Sequence, residues 1–310
     1  MFYALFKKNL SAARERILAS GIKTANTRLG KIEYIAFGKG LPVLWIHGIV
    51  GGADQGIISS EPLVDRDFRI IAVSRFGYIG SPLPVNATPA AQADLYAALL
   101  DALKIPKVAV VGFSSGAPSA LQFALRHPDR CSSLILLSGA VPPYTEPPHI
   151  LRIIAKIFFG SDFIFWILIK YFPSIMMRLM GVPKPVQKRL SAVDKEWLDD
   201  TMFSFLPVRL RVNGIINDIW VTNPDLNKGY PFQELTIPTL IIHAVDDPMP
   251  SFKTAKRIAA QIPRSKFVTI ESGGHLHMGH HLMVRTSITN FILSTKETKA
   301  SVPVLEQAFT

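Results

Sequence analysis

The stretch GFSSG places Ser114 and Ser115 between two glycines, directly after the apolar run KVAVV and ahead of a helix-like segment. Gly112, Ser114 and Gly116 match the pattern G-x-S-x-G, in which a tight strand-to-helix turn holds a serine hydroxyl out as a nucleophile. Glycine at both flanking positions lets the strand and helix backbones approach each other closely. We therefore predict that Ser114 is a nucleophile; the alternative is a glycine-rich turn with no chemical role.

A serine hydroxyl needs a base to take its proton, and that base needs a carboxylate to orient it. His275 follows two glycines in the segment ESGGHLHMGHH, where a loop can present it beyond the end of a strand, and His277 is its main rival. Asp246 and Asp247 come soon after the apolar run TLIIH. We predict His275 as the base and Asp247 as the acid, with Asp246 capping or bracing the loop.

Acyl transfer also requires hydrogen-bond donors for the negative charge that develops on the carbonyl oxygen. The backbone N–H of Ser115, the residue after the nucleophile, is one candidate. The other is expected in the glycine-rich loop HGIVGGADQG, where we favour the N–H of Ile49 and place Val50 second. His47, the first residue of this loop, is expected to hold the loop by packing or hydrogen bonding. Asp54 and Gln55 in the same loop either cap the following helix or shape the pocket.

The elements that must position these residues alternate along the chain. The segments KIEYIAF, LPVLWIHG, DFRIIAVS, KVAVVG, CSSLILLSG, TLIIH and KFVTIES have the character of strands, and helical patterns separate most of them. Such alternation predicts an α/β fold with a mostly parallel sheet and helices on both faces. We expect an N-terminal helix at 1–20, a core at 21–141 and 235–310, and a helical insertion at 142–234, which we call the cap.

The motifs HGIVGG, GFSSG, VDDPMP and GGHLH, in this order and spacing, resemble those of the α/β-hydrolase superfamily. The stretch from HGIVGGADQG through SRFGYIGSP to ALQFALRHPDR is similar to bacterial esterase-like serine hydrolases. The resemblance covers about residues 30–142 and 236–294. It implies an eight-stranded, mostly parallel sheet with a cap after the sixth strand, but the cap itself matches no pattern and the resemblance implies no substrate.

Residues 150–181 of the cap are apolar at almost every position, so a helix there would lack the polar face of an ordinary surface helix. The excess apolar surface must pack on the core, cover an apolar substrate in the site, or contact another chain or lipid. We predict that Phe165 and Trp166 of the cap bind a hydrophobic substrate, together with Val50 and Phe113 of the core. A peripheral membrane contact and a homodimer through the cap are the candidate macromolecular contacts.

Composition argues against several other classes of protein and site. The net charge of +11 is spread over scattered residues, with no basic block interleaved with aromatics, so we expect no nucleic-acid partner. A single cysteine, Cys131, gives no intrachain disulfide and no thiolate metal site. We expect no metal and no cofactor. The N-terminal residues lack a secretory signal pattern and charges interrupt every long apolar run, so we expect a cytoplasmic protein, with the membrane surface as a further site.

The function predicted from the residues is hydrolysis of a carboxylic ester of a hydrophobic small molecule through an acyl-enzyme. Carbon–carbon bond hydrolases, thioesterases, lactonases and haloperoxidase-like enzymes use the same triad and remain alternatives. A further alternative is a ligand-binding protein that uses a hydrolase scaffold without turnover, since a fold does not dictate a function.

Overall fold

The structure is a computed structural model. It describes residues 2–139 and 141–300, the last five of these for their backbone only. Met1, Ala140 and residues 301–310, which fall in the predicted N-terminal helix and core, lie outside the described residues.

An eight-stranded sheet with the spatial order β1-β2-β4-β3-β5-β6-β7-β8 forms the centre of the molecule. β2 pairs antiparallel with both β1 and β4, and all the other neighbours are parallel. The predicted fold class is confirmed. The strands are β1 (Lys23–Thr27), β2 (Gly30–Phe37), β3 (Pro42–Ile46), β4 (Arg69–Val73), β5 (Val108–Phe113), β6 (Cys131–Leu137), β7 (Thr239–Ala244) and β8 (Ser265–Ile270).

Central strands carry apolar side chains on both faces because helices cover both faces of a parallel sheet. On β3, Leu44 and Ile46 pack in one buried apolar cluster, while Val43 and Trp45 pack in a second cluster on the opposite face. The same alternation places Val110 in the first cluster and Val111 of β5 in the second. The sheet is therefore fixed in register by two cores, one on each side.

Helices follow the strands as the alternation predicts. None of the helices within residues 2–139 and 141–300 is both long and apolar enough to cross a membrane. Their bounds are α1 (Phe2–Ala19), α2 (Gly56–Ser60), α3 (Pro89–Ala102), α4 (Ala117–Arg126), α5 (Leu151–Gly160), α6 (Asp162–Tyr171), α7 (Pro173–Leu179), α8 (Lys184–Gln187), α9 (Ala192–Ser204), α10 (Val212–Asn217), α11 (Phe252–Ala259) and α12 (His281–Ala300).

Helices α5 to α10 lie between β6 and β7 in the chain, within the segment that we call the cap. A buried ion pair joins this segment to the core: Nη1 and Nη2 of Arg211 donate to the two carboxylate oxygens of Asp54, at 3.0 and 2.7 Å. Arg16 of α1 reaches the same carboxylate at 2.9 Å. Burial raises the pKa of Asp54, but the two guanidinium groups outweigh it and hold that pKa below its ordinary value.

A second buried pair joins the loop after β4 to the cap. The Arg75 guanidinium donates two hydrogen bonds to the Asp218 carboxylate, one of them at 2.6 Å, and the Tyr78 hydroxyl donates to the same carboxylate. Burial and the neighbouring Asp218 charge hold the pKa of Tyr78 well above its ordinary value, so the phenol stays protonated as a donor. Two buried carboxylates thus bind α1, the core and the cap together.

Removing the Asp54 carboxylate should therefore destabilise the protein strongly, because it leaves Arg211 buried and unpaired. We expect Asp54→Ala to lower the free energy of unfolding by about 3–5 kcal/mol, as for other broken buried ion pairs. Asp94→Ala is the matched control, since Asp94 pairs with Arg126 at the surface and should cost only about 0–1 kcal/mol. Denaturant unfolding of the two variants measures both costs.

The stabilisation that Asp54 provides should depend on pH in a defined direction. Because the pKa of Asp54 is lowered in the fold, its stabilisation is complete at neutral pH and is lost as the pH falls below about 4. The gap in unfolding free energy between wild type and Asp54→Ala should narrow over that range. Equal costs for Asp54→Ala and Asp94→Ala at neutral pH would contradict this description of the cap contact.

Candidate active site

Ser114 lies at the turn between β5 and α4, where its backbone has a φ of 51°. A non-glycine residue in this left-handed region is strained, and such strain persists only where the surroundings impose it. The surroundings here are the end of β3: a Cβ on Gly116 would lie 2.6 Å from the carbonyl oxygen of Ile46 and 2.8 Å from that of His47. The turn can pack this tightly on β3 only because residue 116 is glycine.

The three residues predicted from the sequence are brought together in one hydrogen-bonded chain. His275 Nδ1 lies 2.8 Å from Asp247 Oδ2, and His275 Nε2 lies 2.8 Å from Ser114 Oγ. Since an ionised carboxylate only accepts hydrogen bonds, Nδ1 carries the proton and the Nε2 lone pair faces the serine hydroxyl. This arrangement is suited to removing the proton of Ser114 as its oxygen attacks a carbon atom.

Asp247 is buried and held in place from two further sides. Its Oδ1 accepts the backbone N–H of Met249 at 2.9 Å, and His243 Nε2 lies 3.6 Å from its Oδ2. Burial holds the pKa of His243 below its ordinary value, so His243 is neutral near pH 7 and donates to the carbonyl of Pro250. The carboxylate is thereby fixed with one oxygen directed at His275.

Asp246 braces the loop that carries the histidine, which is one of the two roles expected for it. Its carboxylate accepts the backbone N–H groups of Gly273 and Gly274 and the hydroxyl of Ser272. From the cap, the carbonyl of Gly181 accepts the backbone N–H of His275 at 2.9 Å. Residues of the core and of the cap therefore set the position of the imidazole.

His277, the rival base, lies away from the serine nucleophile and bonds to Ser138. The Ser138 hydroxyl donates to the carbonyl of His275 at 2.8 Å, so its oxygen accepts the Nε2 proton of His277 at 3.0 Å. Burial and the neighbouring His275 hold the pKa of His277 well below its ordinary value. His277 is thus a neutral buried side chain that supports the loop.

The loop after β3 passes directly beside Ser114. A Cβ on Gly48 would lie 3.0 Å from Ser114 Cβ, and Ile49 and Val50 line the cavity in front of the serine. Ser115 follows the nucleophile in the buried turn. The two predicted N–H donors, of Ile49 and Ser115, therefore belong to segments that flank Ser114 on either side.

Polar side chains hold the carbonyl groups of this loop. His47 was expected to do so, whereas the sequence analysis gave Arg75 and Arg211 no such role. His47 Nδ1–H and Arg75 Nη2 both donate to the carbonyl of Gly48, at 2.6 and 3.0 Å, and Arg211 Nη1 donates to that of Gly51 at 2.7 Å. Burial holds the pKa of His47 well below its ordinary value, and its Nε2 accepts the backbone N–H of Arg75. The only sequence signal for Arg75 was its place in SRFGYIGSP.

Asp54 and Gln55 do not cap the helix that follows them, which corrects one of the two expectations. Neither side chain bonds to a free N–H at the start of α2. Asp54 is taken up by its ion pairs, and Gln55 Nε2 donates to the carbonyls of Val50 and Ser204 at 3.3 and 3.0 Å. Gln55 also lines the cavity, so it ties the loop to the cap at the cavity wall.

A cavity of about 400 Å³ opens in front of Ser114 and lies between the core and the cap. Core side chains form its floor and cap side chains form its walls and roof. Its lining includes no lysine, arginine or carboxylate within the part of the chain that the structure describes. The lining side chains are mostly apolar: Trp45, Ile49, Val50, Leu63, Phe113, Phe158, Phe159, Phe165, Met176, Leu179, Met180, Trp197, Phe205, Met249 and Leu276, joined by the polar Gln55, Ser59 and Thr201.

Trp166 does not line this cavity, so its predicted contact with substrate is wrong. The indole is fully buried on the other side of α6, where its Nε1–H donates to Asn9 of α1 and its ring packs against Phe2 and Phe6. The remaining predicted binding residues, Val50, Phe113 and Phe165, do line the cavity. In a helix that is apolar nearly all round, sequence spacing could not tell which side faces the cavity.

No group of three or more His, Cys, Asp or Glu side chains among the described residues is arranged to hold a metal ion. The site brings together a serine hydroxyl, an imidazole nitrogen that faces it and a carboxylate bonded to that imidazole, and the segments with the predicted N–H donors lie beside them. These are the parts required for acyl transfer.

Comparison with known proteins points to one group of enzymes. Residues 42–161 match the family model described as the alpha/beta hydrolase fold. The chain is 28% identical over 258 residues to the uncharacterised hydrolase YcgS of Bacillus subtilis, covering 80% of this chain and 89% of that protein. It is 26% identical over 255 residues to the 2-hydroxy-6-oxononadienedioate/2-hydroxy-6-oxononatrienedioate hydrolase of Cupriavidus pinatubonensis, covering 77% and 82%.

Solved structures agree in fold. An alpha/beta hydrolase fold protein from Nakamurella multipartita superposes with a TM-score of 0.71 at 26% identity, over 87% of this chain and 98% of that one. An esterase from Thermogutta terrifontis superposes with a TM-score of 0.67 at 24% identity, over 88% and 98%.

The contact between Gly116 and β3 gives a test of the site geometry. We expect Gly116→Ala to lower the free energy of unfolding by about 1–3 kcal/mol, because the added methyl group collides with backbone carbonyls that cannot move alone. Gly160→Ala is the matched control: Gly160 ends α5 and has open space around it. Thermal and denaturant unfolding compare the two variants, and an unchanged stability for Gly116→Ala would refute the close packing of this turn.

Proposed function

This chain belongs to the α/β-hydrolase superfamily, and from that premise we propose that it is a serine hydrolase of uncharged, hydrophobic carboxylic esters. One observation carries the proposal: the hydrogen-bonded chain from Asp247 through His275 to Ser114 ends in an apolar cavity. An apolar molecule bound in this cavity would therefore lie next to the Ser114 hydroxyl.

In the proposed reaction, Ser114 Oγ attacks the ester carbonyl carbon while His275 Nε2 takes the hydroxyl proton. The imidazolium, stabilised by Asp247, then gives that proton to the departing alkoxide, and an alcohol leaves the acyl-enzyme. Water attacks the acyl-enzyme after losing a proton to His275, and the acid is released as Ser114 regains its proton. His275 Nε2 lies 2.8 Å from Ser114 Oγ, which is close enough for each of these proton transfers.

The backbone N–H groups of Ile49 and Ser115 form the oxyanion hole in this proposal. Their segments flank Ser114, and the side chains of Arg75, His47 and Arg211 hold carbonyls of the loop that contains Ile49. Fixed donors of this kind stabilise the charge that develops on the carbonyl oxygen, and loss of one donor typically costs a factor of about 10²–10³ in rate.

The lining of the cavity indicates which substrates fit. A relative such as the Cupriavidus hydrolase acts, by its name, on a dioate, a molecule with two carboxylate groups. Burial of a carboxylate without a cationic partner is costly. Because no lysine or arginine lines the cavity within the described residues, an uncharged ester fits better than a dicarboxylate. This favours ester hydrolysis over cleavage of a carbon–carbon bond in such dioates.

We also propose that residues 142–234 act as the cap of the site, with a cytoplasmic location for the whole enzyme. Phe158, Phe159 and Phe165 of this segment face the cavity and would contact the acyl or alkyl part of the ester. Every step of the proposed reaction uses only side chains of this chain, backbone N–H groups and water.

The nucleophile assignment is tested by exchanging each serine of GFSSG in turn. We expect Ser114→Ala to lower kcat for a nitrophenyl ester by a factor of about 10⁴ or more, because nothing else at the site can form the acyl-enzyme. Ser115→Ala is the control, since it keeps the backbone N–H and should stay within about tenfold of wild type. Steady-state kinetics on both variants decide the assignment; the reverse ranking, or an inactive wild type, would refute the proposed function.

The cavity assignment is tested with an ester series of increasing acyl length. Each methylene buried in the cavity should add about 0.8 kcal/mol, so kcat/KM should rise about three- to fourfold per carbon until the cavity is full. Phe165→Ala enlarges the cavity and should move the preferred length upward. Trp166→Ala should leave the preference unchanged but cost about 3–5 kcal/mol of stability, because the indole packs on α1. A preference for acetate, unaltered in Phe165→Ala, would contradict the assignment.

A further inference from the structure

Helix α5 exposes an apolar face to solvent, although the same helix also packs inward. Ile150, Ile153, Ile154 and Ile157 follow the i, i+3, i+4, i+7 spacing of one helical face, and their side chains are 69, 60, 59 and 65% exposed. On its inward side α5 contributes Phe158 and Phe159 to the cavity wall. The four isoleucines therefore form an outward stripe that the fold leaves uncovered.

The next helix of the cap, α6, and the N-terminal helix α1 also expose apolar side chains. Phe2 of α1 packs its ring against Phe163 and Tyr171 of α6, so the exposed side chains of α1 and α6 lie side by side. Large exposed apolar patches on a protein surface mark contact sites. We call the α5 stripe and these side chains the docking face; besides the four isoleucines it comprises Phe2, Tyr3, Leu5, Phe163, Ile164, Tyr171, Phe172, Ile175 and Leu179, all of them exposed.

The segment that contributes most of the docking face carries an excess of positive charge. Residues 150–191 contain seven lysines and arginines and a single acid, Asp162. Asp162 is buried and paired with Arg209, so it contributes no free negative charge to the surface. Arg152 and Lys156 stand exposed beside the isoleucine stripe on α5. A surface with exposed isoleucines and aromatics among basic residues is complementary to an anionic lipid bilayer.

We propose that the docking face binds the surface of an anionic lipid bilayer, with the apolar side chains in the interfacial layer and the basic side chains on lipid headgroups. A second copy of the chain fits less well. Pairing the same face in a symmetric dimer would bring Arg152 and Lys156 of both copies together without an acid to neutralise them. The positive charge of Arg152 and Lys156 therefore favours binding to an anionic bilayer over self-association.

Binding in this orientation would place the cavity next to the bilayer. Leu179 lines the cavity and is also exposed on the docking face, and Phe158 and Phe159 lie on the inner side of the helix that carries the isoleucine stripe. Apolar molecules dissolved in the membrane could then reach the cavity without crossing water. The lipid binding itself does not depend on the proposed ester hydrolysis.

The experiment is co-sedimentation of the full chain with vesicles of phosphatidylcholine alone and with vesicles in which one third of the lipid is phosphatidylglycerol. We expect binding to the anionic vesicles that weakens with salt, and at least about tenfold weaker binding to the neutral ones. The double variant Ile154→Glu, Ile157→Glu should lose about tenfold or more in partition, because it places two carboxylates in the apolar stripe.

Leu29→Glu is the matched control, since Leu29 is 48% exposed in the β1–β2 turn, beside Arg28, which contacts Asp101 of α3. It should bind vesicles as wild type does. Unaltered thermal unfolding of both variants and unaltered turnover of a short soluble ester show that the fold is intact. Replacing Lys156 and Lys170 with alanine should weaken anionic binding and reduce its salt dependence.

Three results would overturn the proposal. These are no binding of wild type to anionic vesicles, equal binding to both vesicle types, and undiminished binding of the double glutamate variant. If light scattering shows a dimer that the same variant dissociates, while vesicles are not bound, the docking face is an interface between copies of the chain instead.

Discussion

The left-handed backbone of Ser114 is the constraint around which the site is built. Its φ of 51° turns the chain out of β5 into the short segment Ser114–Gly116 that precedes α4, and the hydroxyl faces His275 at the carboxyl edge of the sheet. The strain is sustained because Gly116 packs against the carbonyls at the end of β3 and Gly48 passes beside the serine. The same contacts that strain the turn therefore also bring the loop containing Ile49 next to Ser114.

The cap covers the site and also helps to position the residues around Ser114. Arg211 binds the carbonyl of Gly51 and the carboxylate of Asp54, Asp218 binds Arg75, and Gly181 accepts the backbone N–H of His275. These contacts reach the loop after β3 and the histidine loop from the side opposite the sheet. A movement of the cap would therefore shift the loop after β3 and the loop that carries His275 together.

The sequence predicted what depends on local pattern and missed what depends on distant partners. G-x-S-x-G, the paired glycines before His275 and the aspartates after TLIIH are local signals, and the structure brings Ser114, His275 and Asp247 together. The polar strand β1, KTANT, lacked an apolar run and was not identified from its own residues. Asp54 was expected to cap or to shape a pocket, yet its partner Arg211 lies 157 residues away, a pairing that no local pattern encodes. Trp166 was assigned to the wrong side of its helix because that helix is apolar on both sides.

The central claim is that Ser114 is activated as a nucleophile, and its most direct test is the site at which a fluorophosphonate attaches. Such a probe reacts covalently only with a serine whose proton is removed by a neighbouring base. After reaction of the intact protein, peptide mass spectrometry should find a single adduct, on Ser114, with stoichiometry approaching one per chain. An unlabelled protein, or an adduct on Ser115 or any other residue, would contradict the account.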